Sequence, residues 1–123
     1  MVTRAVAAAV GLLLVALGLW AFLGPHSFYE QIALWPPYNR HLFHDVGAFQ
    51  AGLGATLLAA VFVGDALLAA LSGVAVGSII HAISHFIDRG HGGRATDPAA
   101  LSVLAAVIVG AAILRAREVA RSR

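Results

Sequence analysis

The sequence predicts an all-α integral membrane protein, an antiparallel four-helix bundle with a short interfacial helix after the first span. Of its 123 residues, 60% are hydrophobic and only 11% are charged, whereas soluble domains contain roughly 25% charged residues. The charges are also unevenly distributed, because residues 5–23 and 99–114 contain none. Apolar runs of about 18 or more residues are typical of membrane-spanning helices.

The breaks between the apolar runs divide the chain into four spans that form a single transmembrane domain, residues 1–123. Gly64 and Asp65 leave room only for a tight reversal between the second and third spans. Asp97 followed by Pro98 is a favourable helix start before the fourth. The glycine-rich residues 90–94 follow no strand and lack the lysine of a phosphate-binding turn, so we interpret them as a flexible loop. The predicted spans are residues 4–23, 38–63, 66–88 and 98–117.

A short helix is predicted in the connector between the first two spans. Ser27 and Glu30 have the spacing of a capping box, which predicts a helix beginning at Phe28. Trp35 followed by two prolines ends it, because proline cannot continue the hydrogen-bond ladder. An amphipathic turn rich in aromatic side chains is typical of the lipid headgroup level. The predicted interfacial anchors are Phe28, Tyr29 and Trp35.

The charged residues exclude some functions and predict an orientation. The chain has no cysteine and no lysine, so thiolate chemistry and lysine Schiff bases are excluded. Its basic residues are eight arginines, four of them in residues 115–123. Beside a membrane helix such a tail indicates topology rather than nucleic-acid binding. Since the termini hold more arginines than the loops, both termini are predicted to be cytoplasmic in a multi-pass protein of the plasma membrane.

Polar side chains are concentrated at the outer end of the hairpin formed by the second and third spans. In an antiparallel pair that reverses after Gly64, His44 lies level with His85, and His41 with Asp88. Ionisable groups at such depth usually face a partner, a cavity or a pathway. We therefore predict one polar cluster shared by the two helices. Its candidate metal- or ligand-binding residues are His41, His44, Asp45, His81, His85 and Asp88.

Four interpretations of this predicted cluster remain open. A divalent metal ion could be bound by His81 and His85 together with side chains of the second span. Haem between His44 and His85 fits less well, because close helix packing leaves no room for the ring. A wet cavity could bind a small polar ligand or pass protons, for which histidine is suited. The structural alternative is a His–Asp hydrogen-bond network that ties the helices together.

Small residues lie inward of the polar cluster on both arms of the hairpin. Small side chains let membrane helices approach closely, so these faces are predicted to pack against each other. Gly11 and Gly18 of the first span are likewise interpreted as packing positions. The predicted packing residues of the hairpin are Ala48, Gly52, Ala55, Gly73, Gly77 and Ser78.

The segment PYNRHLFHDVGA at residues 37–48, with HAISH at residues 81–85, resembles small four-span membrane proteins of actinobacterial type. It is similar to the DoxX-like and DUF4345-like groups. The resemblance covers residues 25–115, implies a four-helix bundle and leaves the activity open.

Two functions from different classes are therefore expected. One is a small binding or transport-type membrane protein with an outward-facing His/Asp site for a metal ion or a small polar ligand. The other is a non-catalytic accessory subunit that packs against a larger membrane complex or a second copy of itself. A third function, a membrane enzyme that uses the His/Asp cluster for acid–base chemistry, stays open but is less favoured. No catalytic residue is identified for it, because the sequence contains no recognisable nucleophile or cofactor motif.

Overall fold

A computed structural model describes residues 1–64 and 66–122, and in this part of the chain it contains five α-helices and no strand. Four of them are long and apolar enough to cross a membrane. They form a bundle with one short helix after the first, which confirms the predicted fold class. Asp65 of the predicted turn and Arg123 of the basic tail lie outside the described residues. The helices are α1 (Val2–Leu23), α2 (Pro25–Gln31), α3 (Arg40–Phe62), α4 (Ala66–Ile87) and α5 (Asp97–Arg121).

The short helix α2 begins earlier than the capping-box spacing predicted. Pro25, not Phe28, is its first residue, because the fixed φ of proline suits the first helical position. The Ser27 hydroxyl donates a hydrogen bond of 2.9 Å to the Gly24 carbonyl oxygen. It also accepts one of 2.9 Å from the indole N–H of Trp20. Ser27 therefore joins α2 to the end of α1.

Helices α1 and α3 make the most extensive contact in the bundle, and their backbones meet at glycines. A Cβ placed on Gly18 would lie 2.8 Å from the Gly47 carbonyl oxygen. A Cβ placed on Gly54 would lie 2.6 Å from the Gly11 carbonyl oxygen. Both distances are well inside ordinary van der Waals separation. These positions therefore accept only glycine, and the predicted packing role of Gly11 and Gly18 is confirmed.

Helices α4 and α5 form the second extensive contact, and the two helix pairs meet in one apolar core. Leu57 of α3, Leu67 of α4 and Ile108 of α5 are completely buried there. Inside a membrane such packing stabilises the bundle through van der Waals contact rather than exclusion of water. The buried residues of this core are Ala7, Val10, Leu57, Ala60, Leu67, Leu71, Val74, Ala75, Ile108 and Ala111.

A second, aromatic cluster joins α2 to the facing ends of α1 and α3. Phe28 is buried, with its ring edge-on to Trp20 at 5.6 Å and to Phe43 at 6.0 Å between centroids. Tyr29 packs against Tyr38 at 5.2 Å. Two of the predicted interfacial anchors, Phe28 and Tyr29, thus pack within the protein. The aromatic content that predicted a headgroup anchor here fixes α2 onto the bundle.

The predicted packing of the hairpin is wrong in its choice of residues. Among the described atoms, none lies within 4 Å of a Cβ placed on Gly52, Gly73 or Gly77, and Ala48 and Ala55 are exposed. The remaining predicted position, Ser78, is half-buried.

The reason is that α3 has two rows of small residues, offset by one residue or about 100° around the helix. Gly47, Ala51 and Gly54 form the row that packs on α1. The row that begins at Ala48 faces outward. Helices α3 and α4 share the core near their turn, and an apolar groove of about 530 Å³ opens between them.

Candidate functional site

The charged side chains and the histidines of the described residues lie at the two ends of the bundle. We call the end with α2 and the loops at residues 32–39 and 88–96 the loop end. The opposite end, with both termini, is the terminal end. The sequence-predicted site residues belong to the loop end, where α3 begins and α4 finishes.

On α3 the predicted site residues form a local pair and a contact with α1. His41 Nε2 lies 3.5 Å from Asp45 Oδ2, one helical turn away, and both side chains are exposed. The His44 ring packs against Phe22 of α1, with 5.1 Å between centroids. These residues therefore interact along their own helix and with α1.

On α4 the predicted residues interact with each other and with the connector before α3. His81 Nε2 and His85 Nε2 lie 3.2 Å apart, as their spacing on one helical face leads us to expect. The His85 ring also meets Trp35 edge-on at 5.3 Å between centroids. Asp88 follows the end of α4, where its carbonyl oxygen accepts the N–H of His91 at 2.9 Å.

The structure does not unite these two sets of residues in one cluster. Within residues 1–64 and 66–122, no group of three or more His, Cys, Asp or Glu side chains is arranged to bind a metal ion. The predicted meeting of His44 and Asp45 with His81 and His85 required α3 and α4 to pack through their small residues. Because α3 packs on α1 instead, His44 faces Phe22. The metal and haem hypotheses thus lack the combined ligand set on which they depended.

A different constellation surrounds a cavity of about 360 Å³ at the loop end. Two arginines, one histidine and one tryptophan line it, and none of its described lining residues is acidic. We call it the loop-end cavity. Its lining residues are Trp35, His85, Arg89, Gly92, Gly93, Arg94, Ala95 and Pro98.

The glycine-rich loop at residues 90–94 forms one wall of this cavity because it docks on the connector. The Gly93 N–H donates a hydrogen bond of 2.8 Å to the Leu34 carbonyl oxygen. Gly93 has a φ of +73°, and a Cβ there would lie 2.8 Å from the Trp35 ring. Gly92 has a φ of +154°, and a Cβ placed there would lie 2.8 Å from the Leu34 carbonyl oxygen. The loop therefore packs at a specific position on Leu34 and Trp35. Its interpretation as a flexible loop did not predict this contact.

The positive charge at the cavity comes from side chains with fixed neighbours. The Arg94 guanidinium donates to the Gln31 carbonyl oxygen, and the Arg94 backbone N–H donates to Asp97 Oδ2 at 2.7 Å. The Arg89 guanidinium lies 4.5 Å from the centroid of the Phe86 ring, a cation–π distance. Sequence analysis treated both arginines only as topology signals. The sequence signal for this site was the position of Arg89 and Arg94 on either side of a glycine-rich turn.

The terminal end has its own polar network, which the sequence analysis also missed. The Thr3 hydroxyl, buried on α1, donates to the Glu118 carboxylate of α5 at 3.2 Å. Arg115 donates to the same carboxylate at 3.0 Å and to the Gly64 carbonyl oxygen at 2.7 Å. This network ties α1 and α5 to the end of α3. It is a structural clamp, because its hydroxyl, its carboxylate and both terminal nitrogens of the guanidinium form hydrogen bonds within the protein, whereas the buried Arg115 Nε has no partner among the described atoms.

Comparison of the chain with protein-family models, with curated proteins and with solved structures finds no match in any of the three. The resemblance to the DoxX-like group therefore stays a prediction. The geometry of the site is therefore the basis for assigning a function.

Proposed function

We propose that the protein is a small membrane-spanning binding protein that takes up an anionic group in the loop-end cavity. The supporting observation is the convergence of Arg89, Arg94 and His85 on one cavity. Guanidinium groups are well suited to carboxylate and phosphate, because several N–H donors lie in one plane. Trp35 adds an apolar wall and an indole at the level where membrane proteins meet headgroups.

The charge balance favours an anion over a metal cation. Asp97 is the carboxylate that the loop itself engages, and its Oδ2 already accepts the Arg94 N–H. The cavity therefore combines two guanidinium groups with one partly satisfied carboxylate beside it. The His81–His85 pair supplies two nitrogens, whereas a structural zinc site has four ligands. For these reasons the proposal includes no metal ion and no catalytic residue.

The proposal includes the membrane orientation that the arginine distribution predicts. Both termini are in the cytoplasm, the protein is in the plasma membrane, and the loop-end cavity opens on the outer side. An anion from the outside would then reach Arg89 without crossing the bilayer. The four apolar spans and the separation of the two loops from both termini support this arrangement.

Inorganic phosphate is the simplest probe of this proposal. Purified full-length protein in an uncharged detergent is heated with phosphate or with chloride at equal ionic strength. A ligand that binds only the folded state raises its stability, so phosphate should raise the melting temperature. Arg89→Gln should abolish this rise. Arg117→Gln is the matched control, because Arg117 is an exposed arginine at the terminal end.

The comparison of the two variants decides the outcome. If Arg89→Gln and the unchanged protein respond equally to phosphate, the effect is a general salt effect and the proposal is wrong. If Arg117→Gln loses the response as Arg89→Gln does, net charge rather than the cavity is responsible.

An accessory-subunit function is the second candidate, and the outward row of small residues on α3 supports it. Ala48, Gly52 and Ala55 are exposed and lie on the helix that borders the groove of about 530 Å³. Small residues of this kind are where membrane helices associate. Gly52→Leu should then disrupt a homo-oligomer or a larger complex while the monomer stays folded. Light scattering in detergent measures the mass, and an unchanged mass in the variant would count against a homo-oligomer.

A further inference from the structure

We infer that the anionic group is the phosphate of a glycerophospholipid, whose acyl chains lie along the exposed side of α4. This inference rests on the proposed function, since it names the source of the anion that the loop-end cavity binds. It goes further by assigning a role to the apolar surface below the cavity. The depth of the cavity, its continuity with an apolar surface and its fixed geometry support this assignment.

The depth of the cavity matches that of lipid phosphates. His85 lies in the last turn of α4, and Arg89 follows just beyond the helix end at Ile87. Because α4 is an apolar helix of spanning length, its end lies at the boundary between hydrocarbon and headgroups. Pro98 at the start of α5 borders the same cavity. Both helix ends therefore place the two arginines where lipid phosphates lie.

The cavity continues into an apolar surface through Arg89. Its guanidinium packs on the ring of Phe86, and Phe86 is 47% exposed. Ile83 and Ile87 on the same helix are also exposed, at 51% and 73%. A molecule with a phosphate at Arg89 can thus lay an acyl chain over Phe86 and down α4. A free phosphate ion would contact the cavity and Arg89 but not the exposed apolar side of α4.

The fixed geometry distinguishes this site from arginines that reach into the headgroup layer without a specific partner. Such side chains are common near the ends of membrane helices. Here Gly92 and Gly93 allow the loop to pack on Leu34 and Trp35, and the packed loop forms one wall of the cavity. Hydrogen bonds hold both the backbone and the guanidinium of Arg94. A preorganised site loses less entropy on binding than a flexible one. We therefore expect saturable binding rather than general attraction to anionic surfaces.

The test compares a lipid with inorganic phosphate on the same variants. The full-length protein in uncharged detergent is titrated with short-chain phosphatidylglycerol or with phosphate, and its melting temperature is recorded. The lipid should bind with a Kd at least about tenfold lower than phosphate, because the acyl chain adds contacts. Arg89→Gln should weaken both ligands by about tenfold or more, since a charge-assisted hydrogen bond is lost.

Ile83→Ala separates the inference from the proposed function, because Ile83 belongs to the exposed side of α4 and not to the described lining of the cavity. It should weaken lipid binding by severalfold and leave phosphate binding unchanged. The matched control is Ile113→Ala, since Ile113 is another exposed isoleucine, in the half of α5 nearer the terminal end. This control should leave both ligands unaffected.

The possible outcomes have different consequences for the two proposals. If phosphate and lipid bind equally and Ile83→Ala changes neither, the lipid inference is wrong but anion binding stands. If the lipid binds independently of Arg89, it binds elsewhere and the inference is overturned. If neither ligand changes the melting temperature, both the inference and the proposed function fail.

Discussion

Gly18 of α1 and Gly47 of α3 face each other so closely that a Cβ on Gly47 would lie 2.6 Å from the Gly18 carbonyl oxygen. The contact is between backbones, so a neighbouring side chain cannot relieve an added methyl group by changing rotamer. Gly11 and Gly54 repeat it further along the same helices. Glycines at two levels of the interface therefore set the spacing of α1 and α3.

Gly47→Ala should destabilise the folded protein by about 1–3 kcal/mol, since the added methyl group forces α1 and α3 apart. Thermal unfolding in detergent measures the change. Gly52→Ala is the matched control on the same helix, because among the described residues no atom lies within 4 Å of its Cβ position. Equal losses in the two variants would contradict the assignment of the packing row.

Thr3→Val should lower the free energy of unfolding by about 1 kcal/mol, the typical net value of one hydrogen bond. Valine keeps the shape of threonine but removes the hydroxyl that donates to Glu118. Thr56→Val is the control, since the Thr56 hydroxyl is exposed and bonds to Gly52 of its own helix at 2.9 Å. An unfolding experiment in which Thr56→Val is the more damaging change would refute the clamp.

Gly93→Ala should detach the glycine loop from Trp35. Alanine at a φ of +73° costs about 1–2 kcal/mol relative to glycine, and its methyl group would overlap the indole. We expect Trp35 to become more exposed, which shifts tryptophan fluorescence to longer wavelength, and the response to phosphate to be lost. Gly90→Ala should change neither, because its Cβ would meet no described atom within 4 Å. Unchanged fluorescence in Gly93→Ala would show that the loop is not docked in solution.

Gly90→Cys and Ser122→Cys should be labelled from opposite sides of the membrane. The chain contains no cysteine, so each variant reports a single position when intact cells are treated with an impermeant maleimide. With cytoplasmic termini, Gly90→Cys reacts in intact cells and Ser122→Cys reacts only after lysis. Labelling of both in intact cells would contradict the four-span topology.

The sequence predicts the helices well, because an apolar, uncharged run has few other structures available in a membrane. Residues 66–88 were predicted as a span, and α4 covers Ala66–Ile87. Helix existence depends on local composition, which a single sequence contains in full. The choice of partners depends on which side of each helix faces which neighbour.

That choice was wrong on α3 for a specific reason. Gly47 and Ala48 begin two parallel rows of small residues that differ by a single step, and both satisfy the pattern for close packing. The decision between them comes from the complementary glycines on α1, which lie far away in sequence. The predicted polar cluster shared by α3 and α4 is affected by the same rotation of α3. The rotation that places Gly47 against α1 also directs His44 toward Phe22.

The loop-end cavity was not predicted because two stretches distant in sequence form it, Trp35 of the connector and residues 85–98. Trp35 and Arg94 are adjacent in space only because Gly92 and Gly93 adopt backbone conformations that suit glycine. A glycine-rich loop in a sequence is equally consistent with disorder and with a tight docking contact. The distinguishing information lies in the partner surface, which one sequence does not reveal.

The division of the bundle into an α1–α3 pair and an α4–α5 pair has a consequence for assembly from fragments. Each pair has its own extensive helix contact, and the chain passes from one pair to the other between Phe62 and Ala66. The halves also meet at both ends, through Thr3 with Glu118 and through Gly93 with Leu34. Two separately synthesised chains, residues 1–64 and 66–123, should therefore find each other in one membrane and reconstitute the bundle by complementation.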